Sequence, residues 1–382
     1  MDVWRKMAVK LQLLVRPYRQ MIGLARYTEC LCRALTEAGI AYSLATPTYP
    51  LPVRAAHRLL APFGFDLCTF FTTYPLAAAP LSKGVLTHLT AQQMATLLWF
   101  RPHLHPILAT VHDIVPFLVR RDKSQSTFRH PLDLLFDRMA MSGLKRVDGL
   151  IGDSHFTKKT VAEALGYPAD RMFVVPLGVD HGVFRPLPVS EPFCRRYQLD
   201  DPLRYILYVG SENPRKNLPR LVRAFARLHE ALPESRLIKI GSPEYAREAE
   251  QLRSQVQDMG LTGFVLFYPH VPDEDLALFY NLADLFVFPS LCEGFGLPPL
   301  EAMACGTPVV CSNAASLPEV VGDAAIMVDP YDVEGLAEAM RRVLADAGLR
   351  EELREKGLAR ARQFTWERTA RETVAVYQQV CG

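Results

Sequence analysis

Two carboxylates eight positions apart, Glu293 and Glu301, close the two ends of the run Glu293-Gly294-Phe295-Gly296-Leu297-Pro298-Pro299-Leu300-Glu301. The apolar residues 284–288 before them read as a short buried strand, ended by Pro289. Gly294 and Gly296 admit backbone conformations closed to other residues, which predicts a tight loop. Pro298 and Pro299 suit the opening of a helix, where a missing N–H costs little, and good helix formers continue to Gly306. Glu301 is thus expected in the first turn. Free N–H groups and the positive dipole end at that terminus can hold a diphosphate, while Glu293 projects from the loop. A sugar nucleotide, with one carboxylate for each hydroxyl pair, is the ligand this spacing points to. The plainer alternative is a dipole-matched Glu301 beside an unrelated, solvated Glu293.

A second candidate comes after the expected strand 205–209. There Gly210-Ser211-Glu212-Asn213-Pro214-Arg215-Lys216-Asn217 runs into a helix start. Two adjacent cations oppose the positive end of a helix, and an anion between them would relieve the conflict, which reads as a diphosphate clamp. It is not a Walker loop, and the chain has no GxGxxG. In the first half, the strand 107–111 ends in His112-Asp113-Ile114-Val115-Pro116, so that His112 either donates a hydrogen bond to substrate or is a satisfied structural histidine. Gly23, at the turn between the first strand and its helix, can let backbone N–H groups approach a phosphate.

Three other patterns resolve more simply. Asp273-Glu274-Asp275 comes after Pro272 and opens a helix, where acidic residues belong whether or not a cation is bound. His103-Leu104-His105 lies between prolines without further ligands at zinc-like spacing. Gly152-Asp153-Ser154-His155-Phe156 lacks the final glycine of a nucleophile elbow, and Ser154 reads better as a helix N-cap. Neither a metal site nor an acyl-enzyme nucleophile is expected.

These residues need a frame of strands to hold them. Strand patterns alternate with helical ones along the whole chain, which predicts parallel sheets covered by helices on both faces, built twice over. The first half offers strands at 7–15, 41–45, 67–71, 107–111, 149–151 and 173–175, with an amphipathic helix over 23–38. The Pro-rich stretch 186–192 reads as a linker. In the second half, strands at 205–209, 236–240, 264–267, 284–288, 308–311 and 325–328 alternate with helices at 218–232, 245–259 and 273–282. Helical patterns at 333–347, 349–363 and 366–380 complete the chain. Ligands of such folds bind at the carboxyl ends of strands, where the candidates fall.

The chain of 382 residues, 49% hydrophobic and 22% charged, has the profile of a globular enzyme. Its eight cysteines form no CxxC pair, which predicts free thiols in a reducing cytosol. No apolar run is long enough for a signal peptide or a membrane span. Residues 1–190 carry 22 Lys and Arg against 13 Asp and Glu, whereas residues 191–382 carry 21 against 28. The basic half suits an anionic membrane face or a phosphate-bearing acceptor, unless the two halves simply attract each other. No basic cluster interleaves with stacking aromatics, so nucleic acid is not an expected partner.

Taken together, the motifs resemble glycosyltransferase family 4, the retaining enzymes of GT-B fold. The resemblance covers nearly the whole chain and rests on Pro176-Leu177-Gly178-Val179-Asp180, Tyr208-Val209-Gly210, Arg215-Lys216-Asn217 and the run from Phe288 through Val310. It implies an N-terminal acceptor-binding Rossmann-like domain, 1–188, a donor-binding one, 189–363, and a crossover helix at about 364–382, the domains facing a central cleft. Arg215 and Lys216 would neutralise the donor diphosphate and Glu301 would hold the ribose. Glu293 with the N–H groups of Gly294, Phe295, Gly296 and Leu297 would hold the sugar, with Gly210 and Ser211 beside them. His270 and Val271 would lie along the base, and His112 would face the sugar from the other domain. Where many relatives have Gly-Gly or Gly-Ile-Gly before an Arg-Tyr pair, this chain has only Gly23.

The implied reaction needs no cofactor or metal, the nucleotide sugar being a co-substrate. GDP-mannose leads UDP-glucose and UDP-N-acetylglucosamine because Asn-Pro-Arg-Lys-Asn and His-Asp-Ile-Val-Pro resemble the mannosyltransferases of bacterial surface polysaccharides. The implied acceptor is a saccharide or polyprenyl-linked saccharide at the inner face of the membrane. A non-catalytic nucleotide-sugar-binding protein and a GT-B-like epimerase remain as alternatives.

Overall fold

The structure, a computed structural model, describes residues 10–16, 23–48, 53, 56–57, 67–79, 81–120, 122, 128, 131–199, 203–242 and 245–382. The chain divides into two compact units, Met1–Gly178 with Trp366–Gly382, and Val179–Thr365. The sequence pattern places the division at 188; residues 179–188 instead join the second unit, where Phe184 is buried against Tyr280 and the Leu187 N–H donates to Asn281 Oδ1 at 2.8 Å.

The first unit has a seven-stranded sheet of β1 (Leu11–Leu14), β2 (Tyr42–Thr48), β3 (Ala77–Ala79), β4 (Leu86–Leu89), β5 (Ile107–Val111), β6 (Gly149–Gly152) and β7 (Met172–Val174). Their order is β3-β2-β1-β4-β5-β6-β7, parallel throughout except that β3 runs antiparallel to β2. Buried on both faces, such strands lose the polar alternation of a half-exposed sheet, and all four residues of β1 and all five of β5 are buried. The helix Gly23–Glu37 turns Tyr27, Leu31, Ala34 and Leu35 inward, as its periodicity predicts. Leu24 belongs to the same expected stripe, but its side chain lies outside the described residues, as does the turn 17–22.

One expected strand is overturned. Leu67–Thr73 is a helix, and Phe70, Phe71 and Tyr74 form an aromatic cluster with Phe136 of the helix Pro131–Leu144. A short apolar run does not distinguish strand from helix by periodicity alone. Here the one-turn spacing of Phe70 and Tyr74, whose rings lie 5.4 Å apart, selects the helix. The sheet position goes instead to β3, and β4, which no sequence pattern marks, occupies the centre.

The second unit has β8 (Arg204–Val209), β9 (Ser235–Ile240), β10 (Val265–Tyr268), β11 (Leu285–Phe288), β12 (Val309–Ser312) and β13 (Ile326–Val328), in the order β10-β9-β8-β11-β12-β13 and all parallel. Its helices Leu218–Ala231, Ala246–Asp258, Asp273–Leu282, Leu297–Cys305, Val333–Ala345 and Ala347–Ala361 lie close to their expected ranges, whereas the short helices Glu191–Tyr197, which begins inside the expected linker 186–192, and Leu317–Val321 are unexpected. The C-terminal helix Trp366–Cys381 packs in the first unit beside Gly23–Glu37, burying Trp366, Ala370, Val374, Val376 and Tyr377. The strand order reverses between β1 and β4 in one sheet and between β8 and β11 in the other. At such a point connections leave to opposite sides and open a crevice at the carboxyl ends.

Candidate functional site

The crevice of the second unit is lined by the loops that leave β8 and β11. Strand pairing of Leu207 with Phe286 sets those two ends side by side, so residues 210–217 and 289–296 meet. Asn213 caps a 3₁₀ turn, Pro214–Lys216, and Asn217 adopts a left-handed conformation before the helix Leu218–Ala231 begins. Its side-chain N–H groups bond the carbonyls of Pro289 at 2.9 Å and Pro330 at 2.7 Å. Arg215 and Lys216 are thereby aimed at the loop after β11. Arg215 donates to Glu293 Oε2 at 3.2 Å and to the Cys292 carbonyl at 3.1 Å, while Lys216 donates to Glu293 Oε1 at 2.8 Å.

Glu293 is 7% exposed. Burial pushes its carboxyl up, but the charges of Lys216 and Arg215 outweigh burial and hold it below the usual carboxylate range. Glu293 is thus an anion that both cations already hold. Each carboxylate oxygen keeps a lone pair beyond the one it gives to a cation, and these can accept from hydroxyls.

The loop is held from behind. Ser316 Oγ bonds the carbonyl of Glu293 at 2.9 Å and that of Phe295 at 2.6 Å. Gly296 caps the helix with φ 125°, where a Cβ would lie 2.7 Å from Leu317 Cδ2. Because Gly296 is the cap, Leu297 and Pro298 already belong to the helix. Glu301 therefore lies one residue deeper than expected, fifth in the helix and just past its first turn. It is 2% exposed and accepts from the Tyr280 hydroxyl at 3.0 Å. Gly294 and Phe295 are buried with Gly296, and Leu297 is partly exposed.

Beside this crevice the floor continues through Gly210 and Gly241, at the ends of β8 and β9. A Cβ on Gly241 would collide with the Gly210 carbonyl, and the Gly241 N–H donates to the Tyr268 carbonyl at 3.0 Å. Ser211, partly exposed, accepts at its carbonyl from Tyr208. Past Tyr268, His270 is exposed, while Val271 is buried. Lys239 and Glu212 form a buried ion pair under the same floor.

His112 belongs to the first unit. Strand pairing of Val111 with Gly152 places the residues just beyond them, His112 and Asp153, side by side. His112 Nδ1 lies 2.7 Å from Asp153 Oδ2, and Nε2 lies 3.1 Å from the Thr90 carbonyl. Tyr27 meets the imidazole edge-on, with centroids 4.5 Å apart, and Gln92 accepts the His112 N–H at 3.3 Å. Two acceptors on two ring nitrogens favour the doubly protonated ring. Burial alone would lower the His112 pKa, but the charge and hydrogen bond of Asp153, with the Thr90 carbonyl, raise it. Gly23 opens its helix rather than forming the turn before it.

Sequence reasoning assigns no role of their own to Asp153, Tyr280, Ser316, Asn217 and Gly241. Two have a readable signal. Gly241 repeats after β9 the strand-then-glycine pattern of Gly210, and Asp153 ends the strand next to the one that His112 ends. Ser154 does cap the helix His155–Leu165, accepting from the Thr157 N–H.

Known proteins are similar to this chain in sequence and in fold. Residues 191–360 match the family model Glycosyl transferases group 1, and residues 21–183 match Glycosyltransferase Family 4. The chain is 35% identical over 284 residues to O-antigen chain mannosyltransferase B of Escherichia coli, covering 73% of this chain and 72% of that protein. It is 32% identical over 266 residues to serotype-specific mannosyltransferase WbdA of Escherichia coli, covering 68% of this chain but 32% of that longer protein. In fold it is similar to sucrose-phosphate synthase from Thermosynechococcus elongatus, with TM-score 0.74, 23% identity and coverage of 97% and 99% of the two chains. It is also similar to Anabaena HepE in complex with UDP and glucose, with TM-score 0.72, 18% identity and coverage of 97% and 100%. The fold is GT-B.

Proposed function

The chain belongs to glycosyltransferase family 4, and from that premise we propose that it moves a hexose, with mannose leading, from a nucleotide diphosphate sugar to a saccharide or lipid-linked saccharide in glycan biosynthesis. The observation that carries this reading is Glu293, held ionised by Arg215 and Lys216 at the switch point of the second sheet. An ionised carboxylate accepts from sugar hydroxyls and is a poor general acid, so Glu293 is read as a hydroxyl binder. The two cations face a diphosphate leaving group and supply the charge that a metal supplies elsewhere.

The proposed transfer retains configuration. The bond from the sugar carbon to the diphosphate breaks, the acceptor oxygen bonds to that carbon from the same face, and the acceptor proton passes to the departing phosphate. Glu301 binds the ribose, the main chain at 269–271 lies along the base, and His112 takes part in transfer. GDP-mannose is the proposed donor, supported by two relatives named as mannosyltransferases. UDP-glucose and UDP-N-acetylglucosamine are its competitors.

A thermal-shift panel of GDP, UDP and ADP sugars tests the donor, because a bound ligand raises apparent stability with the logarithm of its concentration over Kd. A larger shift with a UDP or ADP sugar than with GDP-mannose rejects the assignment of the base. Transfer that survives excess EDTA is expected, and its loss would reject metal independence.

We further propose that the first unit works against an anionic lipid surface. Leu132 and Leu135 are exposed on the helix Pro131–Leu144, Trp99 and Phe100 are exposed where the helix Gln92–Trp99 packs on it, and Arg101, Arg138, Lys145 and Arg146 are exposed nearby in sequence. Trp99 donates to the Met139 carbonyl, and the Arg146 guanidinium lies 4.5 Å over the Trp99 ring. Apolar and basic groups together suit headgroups and their anionic charge. Co-sedimentation with phosphatidylglycerol vesicles and not with phosphatidylcholine vesicles is expected; equal binding to both, or none, rejects the proposal.

A further inference from the structure

The first unit holds a line of polar groups that the transfer chemistry leaves unused. The hydroxyl of Tyr377, on the C-terminal helix, lies 2.7 Å from His88 Nδ1. His88 Nε2 lies 2.8 Å from Thr110 Oγ1, which lies 2.9 Å from the Tyr27 hydroxyl. His88, Thr110 and Tyr377 are fully buried and Tyr27 is 2% exposed. Polar groups are costly to take out of water, and apolar residues of similar shape could fill this interior at least as well. The line therefore calls for a use beyond stability.

Its ends supply one. The Tyr27 ring meets the His112 ring edge-on at an interplanar angle of 75°, and Trp366, which opens the C-terminal helix, lies 6.2 Å from Tyr27 on another side. Asp153 and Thr90 hold the two ring nitrogens of His112 and Gln92 its backbone N–H, and the Tyr27 ring is the aromatic packed against the imidazole that they hold. His88 stays neutral, since burial, joined by the charge of His112, pushes its pKa down to about 3. A neutral imidazole has one donor and one acceptor, so Tyr377 and Thr110 take opposite roles toward His88.

We propose that Tyr27, Thr110, His88 and Tyr377 are positioning residues for His112, and that through them the C-terminal helix sets the geometry of its imidazole. The proposal rests on the reading of His112 as a participant in transfer. Two readouts on the full chain test it. One is turnover of GDP-mannose, with kcat and KM taken separately. The other is the imidazole NMR signals of His112 in protein labelled at histidine, which need no donor.

Thr110→Val keeps the branched shape and removes the hydroxyl. It is expected to lower kcat by on the order of tenfold or more, with KM nearly unchanged, and to shift the His112 signals. Thr110→Ser, which restores the hydroxyl, should recover both, and Tyr377→Phe, at the far end of the line, should move both in the same direction as Thr110→Val. Unchanged His112 signals and kcat in Thr110→Val overturn the proposal, and so does an effect confined to KM. If Thr110→Val does not fold, Tyr377→Phe decides in its place by the same criteria. His112→Gln separates the two readings: normal turnover there rejects the role of His112 in transfer, and the NMR signals alone then decide whether the line positions its ring.

Discussion

Glu293 and His112 are both residues whose charge is set by the groups that face them. For Glu293 the native pKa lies below its ordinary value of 4.5, so the stabilisation it brings is present above that value and is lost as pH falls through the lowered native one. Glu293→Gln is expected to cost about 3–5 kcal/mol near neutrality, because it leaves two cations partly buried without their anion. The gap from wild type in thermal unfolding should narrow as pH falls below about 4.5. Transfer should be abolished in both Glu293→Ala and Lys216→Ala, with circular dichroism unchanged; near-normal rates in both would reject the site. His112 is the opposite case. Its native pKa is raised, so its stabilisation is full below 6.5 and is lost as pH rises through the raised value. Asp153 and Asp113 favour the charged ring, the neutral His88 and Tyr27 bring no charge of their own, and Asp153 is in direct contact. Asp153→Asn is expected to bring the His112 titration, followed by NMR, below its wild-type midpoint; an unmoved midpoint would show that Asp153 does not charge the ring.

At the level of elements, the crevice of the second unit depends on glycines that meet different neighbours. Gly296→Ala brings a Cβ against the flexible end of Leu317 and places a side chain at φ 125°, which is expected to cost about 1–3 kcal/mol. Gly241→Ala meets the Gly210 backbone, which cannot swing away, so it should destabilise more and weaken nucleotide binding as well. Equal losses of Tm in the two variants would contradict that ranking. These loops are legible in the sequence because glycine and proline punctuate them, as in 293–299 and 210–217. Elements without such marks are harder to read. Leu67–Thr73 becomes a helix through contacts with Phe136, far along the chain, and β4 is central although Leu-Thr-His-Leu carries little strand signature. Glu301 lies one residue deeper in its helix than the sequence suggests because the prolines mark the helix start only loosely, whereas Gly296 forms the cap.

The molecule as a whole is legible as two sheets of mainly parallel strands, because alternating strands and helices specify that architecture almost by themselves, whereas the return of the terminal helix to the first unit is legible only through the family resemblance. Partnership across long separations, such as His88 with Tyr377, is hidden, since a polar residue in an apolar run carries no mark of its partner. The division of the chain leads to a test at this scale. Residues 179–365 form one continuous compact unit and, expressed alone, are expected to unfold cooperatively and to gain Tm with GDP-mannose. Residues 1–178 without 366–382 should lack cooperative unfolding, since Tyr27 and His88 lose the helix that covers them. Because the first unit is finished only by residues near the end of the chain, the order of completion on the ribosome is the reverse of the order of synthesis: the second unit can close while the first still waits for its last helix. Throughout that interval the helix Gly23–Glu37 is without its partner, so the burden on chaperones falls on the half of the protein that is made first.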